Sequence, residues 1–243
     1  MILNEIEFLN GLLSLIYSLI TLLLGLLIAS KYRKHKQTSL LYIGISISAF
    51  AMPWYPSSIS FLMIILTGNG LSEQAYFFIG IAFIPLLIFV WMFGITEFIF
   101  ENNRKIILAI YALVGIVFDI FFIYYLLSDP GSIGTLQGPL DVEYHGFTRI
   151  YLIFLIATVL ITVITFGVKA LKSDKPDIRL KGKFISIAIF FWLTGAVADA
   201  FIPLTIATLL IIRIILITSI ILNYIGWIMP EPIKKLFIKD IET

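Results

Sequence analysis

"IATLLIIRIILITS", residues 206–219, sets one arginine, Arg213, in a run otherwise made of aliphatic residues and small hydroxyls. Runs of this kind follow one another from Ile6 to Met229 with few breaks, in a chain of 243 residues that is 60% hydrophobic and 13% charged. A mean hydropathy of +1.05 lies far outside the range of soluble domains, so the chain reads as an integral membrane protein. Residues 1–229 form one polytopic all-α domain and residues 230–243 a tail.

A crossing of the hydrocarbon takes about 20 apolar residues. On that measure seven spans fall near 6–30, 39–66, 74–100, 106–127, 146–170, 184–202 and 205–229. The breaks are polar or Gly/Pro-rich, the longest being "SDPGSIGTLQGPLDVEYHG", and a tight turn at Pro203 makes the last two spans antiparallel neighbours. Glu5 and Glu7 precede the first run, with no basic segment and no small-residue cleavage site around it, so it reads as a mature helix rather than a signal peptide.

Of the 17 Lys and Arg, all but Arg149 and Arg213 fall in alternate loops and the tail. Cytoplasmic loops retain positive charge, which predicts the N-terminus outside, the C-terminus cytoplasmic and a location in the cell membrane. Only an odd number of spans preserves that segregation. Tyr76, Tyr124, Tyr125 and Tyr151 near outer ends, and Tyr32, Tyr42, Tyr224 and Trp227 near inner ends, form the aromatic belts expected at the two interfaces. In the tail, Ile233, Leu236, Phe237 and Ile241 share one helical face and Lys234, Lys235 and Lys239 the other, the pattern of a short helix lying on the inner leaflet; a frayed basic tail is the alternative.

Ionisable groups at membrane depth face the bundle interior and pair, because leaving them in lipid is costly. Glu97, Asp119, Asp199 and Arg213 are such groups. At 1.5 Å per residue, Arg213 and Asp119 each lie about 12 Å below the outer ends of their spans and Asp199 about 5 Å below its own. Asp119 shares a stripe with Ala112 and Gly115, and Asp199 one with Ala188 and Gly195; small residues mark close helix packing. These positions predict an ionic cluster of Arg213, Asp119 and Asp199 in the outer half. Trp192, on the span of Asp199, and Tyr224, on the stripe of Arg213, complete the candidate ligand-binding set. Such a cluster serves packing alone or lines a ligand site. Glu97 lies one turn before Glu101 and near Arg104 and Lys105, and reads as part of a surface ion network.

Pro53 and Pro56 interrupt the second span and Pro85 the third, and Ser57, Ser58 and Ser60 stand ready to satisfy the freed carbonyls. Asp141, Glu143 and His145 alternate in the outer loop, as a weak cation site would, but a fourth ligand is missing and a solvated loop is the default. There is no cysteine and no HExxH, GxSxG, P-loop or GxGxxG motif, so enzymatic chemistry and cofactor binding are not expected. The topology resembles seven-helix receptors and rhodopsins, though no residue motif carries it and no lysine lies at membrane depth for a retinal Schiff base.

Three functions fit. The first is a receptor-like protein with a polar pocket in its outer half, taking a small molecule and signalling through a cytoplasmic or membrane partner. The second is a small transporter or cation conductor, and the third a structural subunit of a membrane complex. The lipid bilayer is the one certain partner, and nothing suggests nucleic acid.

Overall fold

The computed structural model describes residues 2–238. Its helices are α1 (Glu5–Ser30), α2 (Tyr32–His35), α3 (Thr38–Ala49), α4 (Tyr55–Thr67), α5 (Glu73–Ile81), α6 (Ile84–Ile99), α7 (Arg104–Ser128), α8 (Gly146–Leu171), α9 (Pro176–Phe201), α10 (Ile206–Ile228) and α11 (Glu231–Phe237). They assemble into seven helices long and apolar enough to cross a membrane, as the hydropathy runs require. The chain is thus an all-α, multi-pass seven-helix bundle. The bundle has a hairpin end, where residues 129–145 lie, and a basic end.

The prolines break two spans rather than merely bending them. Between α3 and α4 the backbone takes a 3₁₀ turn at Met52–Trp54, and between α5 and α6 it pauses at Ala82 and Phe83 ahead of Pro85. Of the three serines, only Ser58 closes on a nearby carbonyl, that of Trp54, at 2.8 Å. Ser57 shares a hydrogen bond with the Tyr76 hydroxyl at 2.7 Å and Ser60 donates to the Pro139 carbonyl at 2.9 Å, so both serve distant elements instead. The sixth span starts at Pro176, before the first apolar residues that mark it. Proline in the first turn and Asp177 beside the helix N-terminus let a charged segment begin the helix.

Six spans form a ring: α1 packs on α3, α3 on α6, α6 on α8, α8 on α9, α9 on α10 and α10 back on α1. Helix α7 stands outside it against α6, with Ile110, Leu113, Ile120 and Leu127 exposed. It reaches α8 through stacked rings, Phe118 on Tyr151 at 3.9 Å and Tyr111 on Phe154 at 5.6 Å. The loop expected before α8 holds a small antiparallel hairpin, β1 (Gly134–Leu136) with β2 (Val142–Tyr144), pairing Thr135 with Glu143. Gly138 in its turn has φ +81°, a conformation that glycine adopts freely.

At the basic end, Arg104 donates to the Phe93 carbonyl at 2.9 Å and stacks on the Phe93 ring, and Lys169 donates to the Ile99 carbonyl at 2.8 Å. Both cations therefore satisfy carbonyls of the last turns of α6. Glu97 forms no ion pair with Arg104 or Lys105, and the ionic network expected there is replaced by these caps. Lys234 pairs with Asp177 at 2.7 Å and Phe237 meets Phe184 edge-on, so α11 is a helix docked on the start of α9. Lys239 and Ile241, assigned to its two faces, lie outside the described residues.

Candidate functional site

Two N-caps set the height of the site. The Glu7 N–H donates to Asn4 Oδ1 at 2.9 Å and the Asn4 N–H to Glu7 Oε2 at 2.8 Å to start α1, and Thr205 Oγ1 accepts from the Thr208 N–H to start α10. These starts place Asn10 and Arg213 at similar depth on packed helices. Arg213 Nη1 donates to Asp199 Oδ1 at 2.7 Å, and Nη2 donates to Asn10 Oδ1 at 2.9 Å and Ser14 Oγ at 3.3 Å. The guanidinium carbon stands 5.7 Å from the centre of the Trp54 ring, whose Nε1 donates to the other Asp199 oxygen at 2.7 Å. Arg213 is 2% exposed. Its charge is compensated by one carboxylate and two neutral acceptors, which is the arrangement a desolvated guanidinium needs.

The pair forms one wall of a cavity of about 640 Å³ at the hairpin end of the ring. Phe50, Trp54, Trp91 and Trp192 supply aromatic surface, and Leu152 and Val159 of α8 an aliphatic face. Phe50 packs against both Trp91 and Trp192, at 5.5 and 4.8 Å. Trp91 Nε1 is engaged by Thr162 Oγ1 at 3.1 Å. The hairpin forms a partial roof, with Leu140 through Tyr144 in the cavity lining: Leu140, 2% exposed, packs on Phe61 and Ile64, and Asn10 Nδ2 donates to the Leu140 carbonyl at 3.2 Å. Asn10 thus ties the arginine to the roof. A shallower depression of about 530 Å³, lined also by Asn4 and Glu7, shares Asn10, Gln137, Leu140, Asp141 and Leu204 with the cavity. Apolar walls with a few convergent polar groups are the usual make-up of a small-molecule pocket.

Asp141 belongs to the roof. Burial pushes its carboxyl from 3.8 up to about 6, against a lowering hydrogen bond from Val142 N–H at 2.8 Å. The folded state therefore holds the proton more tightly than the unfolded chain, and stability falls as pH rises through roughly 4 to 6. Asp141→Asn is expected to flatten that part of the melting-temperature profile and to raise the melting temperature at pH 7; an unchanged slope would show that Asp141 ionises freely in the fold. His145 Nε2 hydrogen-bonds Thr135 Oγ1 at 2.9 Å, and no group of three metal-ligating side chains occurs among the described residues.

Of the five residues singled out, Arg213, Asp199 and Trp192 line the cavity. Asp119 does not join them. It stands on α7 outside the ring, its Oδ1 buried without a hydrogen-bond partner close to the equally unpartnered Tyr151 hydroxyl. Of the expected cluster of Arg213, Asp199 and Asp119, only the first two meet: equal depth does not fix the direction in which a helix faces. The small-residue stripe did mark close packing, since a Cβ on Gly115 would stand 3.2 Å from Pro85 Cβ, but the neighbour is α6. Tyr224 packs at the edge of the core and does not line the cavity.

Asn10, Ser14 and Trp54 were missed. A signal existed for the first two: Asn10, Ser14, Ser18 and Thr21 recur at helical spacing on one face of the first span, and all are buried. Trp54 sits in the proline-broken turn, where helical periodicity says nothing. No protein family, no curated protein and no solved structure matches the chain.

Proposed function

We propose that the chain is a receptor-like protein of the cell membrane, with the hairpin end outside, that takes a small molecule in the cavity beside Arg213 and Asp199. The observation that carries this reading is the partly roofed cavity of about 640 Å³, largely apolar, on whose wall the Arg213–Asp199 pair lies. The segregation of Lys and Arg to the basic end supports the orientation. A ligand would contact the aromatic walls and compete for the second lone pairs of Asp199, and it would bias the bundle only through a difference in affinity between two packings. A partner would read the change at the basic loops.

The test is the thermal stability of purified wild type and Arg213→Gln against small anions, amines and metabolites. A bound ligand at 100 times its Kd stabilises by about 2.7 kcal/mol. A compound that raises the wild-type melting temperature but not that of the variant supports the reading; stabilisation equal in both places the ligand elsewhere.

The breaks at Met52–Trp54 and at Ala82–Phe83 favour a second reading, a transporter, because interrupted helices beside a central cavity are how many transporters bind their cargo. Cation or proton flux into proteoliposomes that disappears in Asp199→Asn would select it.

A further inference from the structure

Helices α8 and α9 touch at the basic end and part at the hairpin end. A Cβ on Gly167 would collide with Ser186 Oγ, and one on Gly182 would stand 2.5 Å from Ala170 Cβ, so small residues bring the two backbones together there. In the other half, Ile153 and Ile156 of α8 and Ala196, Ala200 and Phe201 of α9 line the cavity instead. Exposure changes along that lining. Leu155, Val159 and Trp192 are 8, 3 and 9% exposed, whereas Ile153 is 57% and Phe201 67% exposed. The cavity is thus sealed at its floor and open along a rim between the two helices. On its other flank α8 is covered by α7, through Phe118 on Tyr151 and Tyr111 on Phe154. Counted at 1.5 Å per residue, the rim occupies the first ~15 Å of α8. In a hydrocarbon core about 30 Å thick, it opens to one leaflet.

Arg149 marks the top of the opening. It lies in the first turn of α8 and lines the cavity, with its guanidinium carbon 5.7 Å from the centre of the Phe201 ring. The side chain is exposed, and no ion pair holds it among the described residues. The acids nearby leave it free. Asp199 is taken by Arg213 and Trp54, Asp141 lies on the α1 side with Asn4 and Glu7, and Glu143, exposed on β2, forms no ion pair with Arg149. A free guanidinium at this level presents a planar fork that matches carboxylate and phosphate. A volume of about 640 Å³ suits a molecule with one chain, being within the range of roughly 300–1,000 Å³ of small-molecule pockets.

On the reading that the cavity takes a small molecule, we propose that this molecule is an anionic amphiphile with one hydrocarbon chain, drawn from the surrounding leaflet. Its head stays at Arg149, and its chain passes between α8 and α9 to lie against Phe50, Trp91 and Trp192.

Tryptophan quenching by stearate carrying a nitroxide at mid-chain tests this, with the full chain in phosphatidylcholine nanodiscs. Trp54, Trp91 and Trp192 line the cavity, and only Trp227 lies at the far end, against Phe98 and Phe166. Saturable quenching is expected in wild type. The half-saturating mole fraction is expected to rise at least about tenfold in Arg149→Gln, as loss of one charge-assisted hydrogen bond implies, and equally for the methyl ester of the probe on wild type. Ala200→Phe, with an unchanged melting temperature, is expected to remove the saturable part. Quenching that does not saturate, or that is the same for acid and ester, would mean contact from bulk lipid and overturn the proposal. So would saturable quenching that Ala200→Phe leaves intact. A water-soluble compound that stabilises wild type but not Arg213→Gln, with no saturable quenching by the stearate, would keep the cavity as a ligand site and overturn the amphiphile alone.

Discussion

Asp199→Ala is expected to lower the stability of the bundle by about 3 kcal/mol, the low end of what breaking a buried ion pair costs. The Arg213 side chain is 3% exposed and that of Asp199 19%, so the arginine would keep its charge in the interior with only Asn10 and Ser14 as acceptors. Trp54 Nε1 would lose its acceptor as well. Removing both charges, in Arg213→Leu with Asp199→Leu, leaves no buried ion to compensate. The double variant is therefore expected to be more stable than Asp199→Ala, and chemical unfolding of the two would show it. Strictly additive losses would mean that Arg213 finds adequate solvation elsewhere. A double variant that folds but no longer responds to the stabilising compound would separate binding from packing.

Gly44→Val is expected to cost a further class of contact, about 3 kcal/mol, by forcing two spans apart. A Cβ on Gly44 would stand 2.6 Å from the Gly25 carbonyl oxygen and 2.7 Å from Ala29 Cα, and one on Gly25 would stand 2.6 Å from Ser48 N and 2.7 Å from the Gly44 carbonyl oxygen. All of these are backbone atoms, so no side chain can yield. Small residues let membrane helices approach this closely, and the van der Waals packing they permit drives helix association where lipid is as apolar as leucine. Because α1 carries Asn10 and Ser14, separating it from α3 also moves the neutral acceptors of Arg213, and the ligand-dependent rise in melting temperature should shrink along with the stability. Gly131→Ala is the control: its Cβ would meet only Asp129 Oδ1, at 3.5 Å, and the melting temperature should hold.

Much of the fold could be read from the chain because hydropathy reports a transfer free energy that accumulates along the sequence. Seven apolar runs of sufficient length became seven spans, and the pair Asp199–Arg213, joined through one tight turn, was within reach of depth and antiparallel packing alone. The basic end likewise followed from where Lys and Arg occur. Tertiary structure decided the rest. Nothing local says that α7 stands outside the ring and takes Asp119 with it, that Asn10 arrives from a helix 203 residues away, or that residues 134–144 fold back as a roof pinned by Leu140. The physical reason is that, among helices equally apolar toward lipid, partners are chosen by the fit of small residues and by hydrogen bonds between segments distant in sequence, and depth fixes the height of a side chain but not the neighbour it faces.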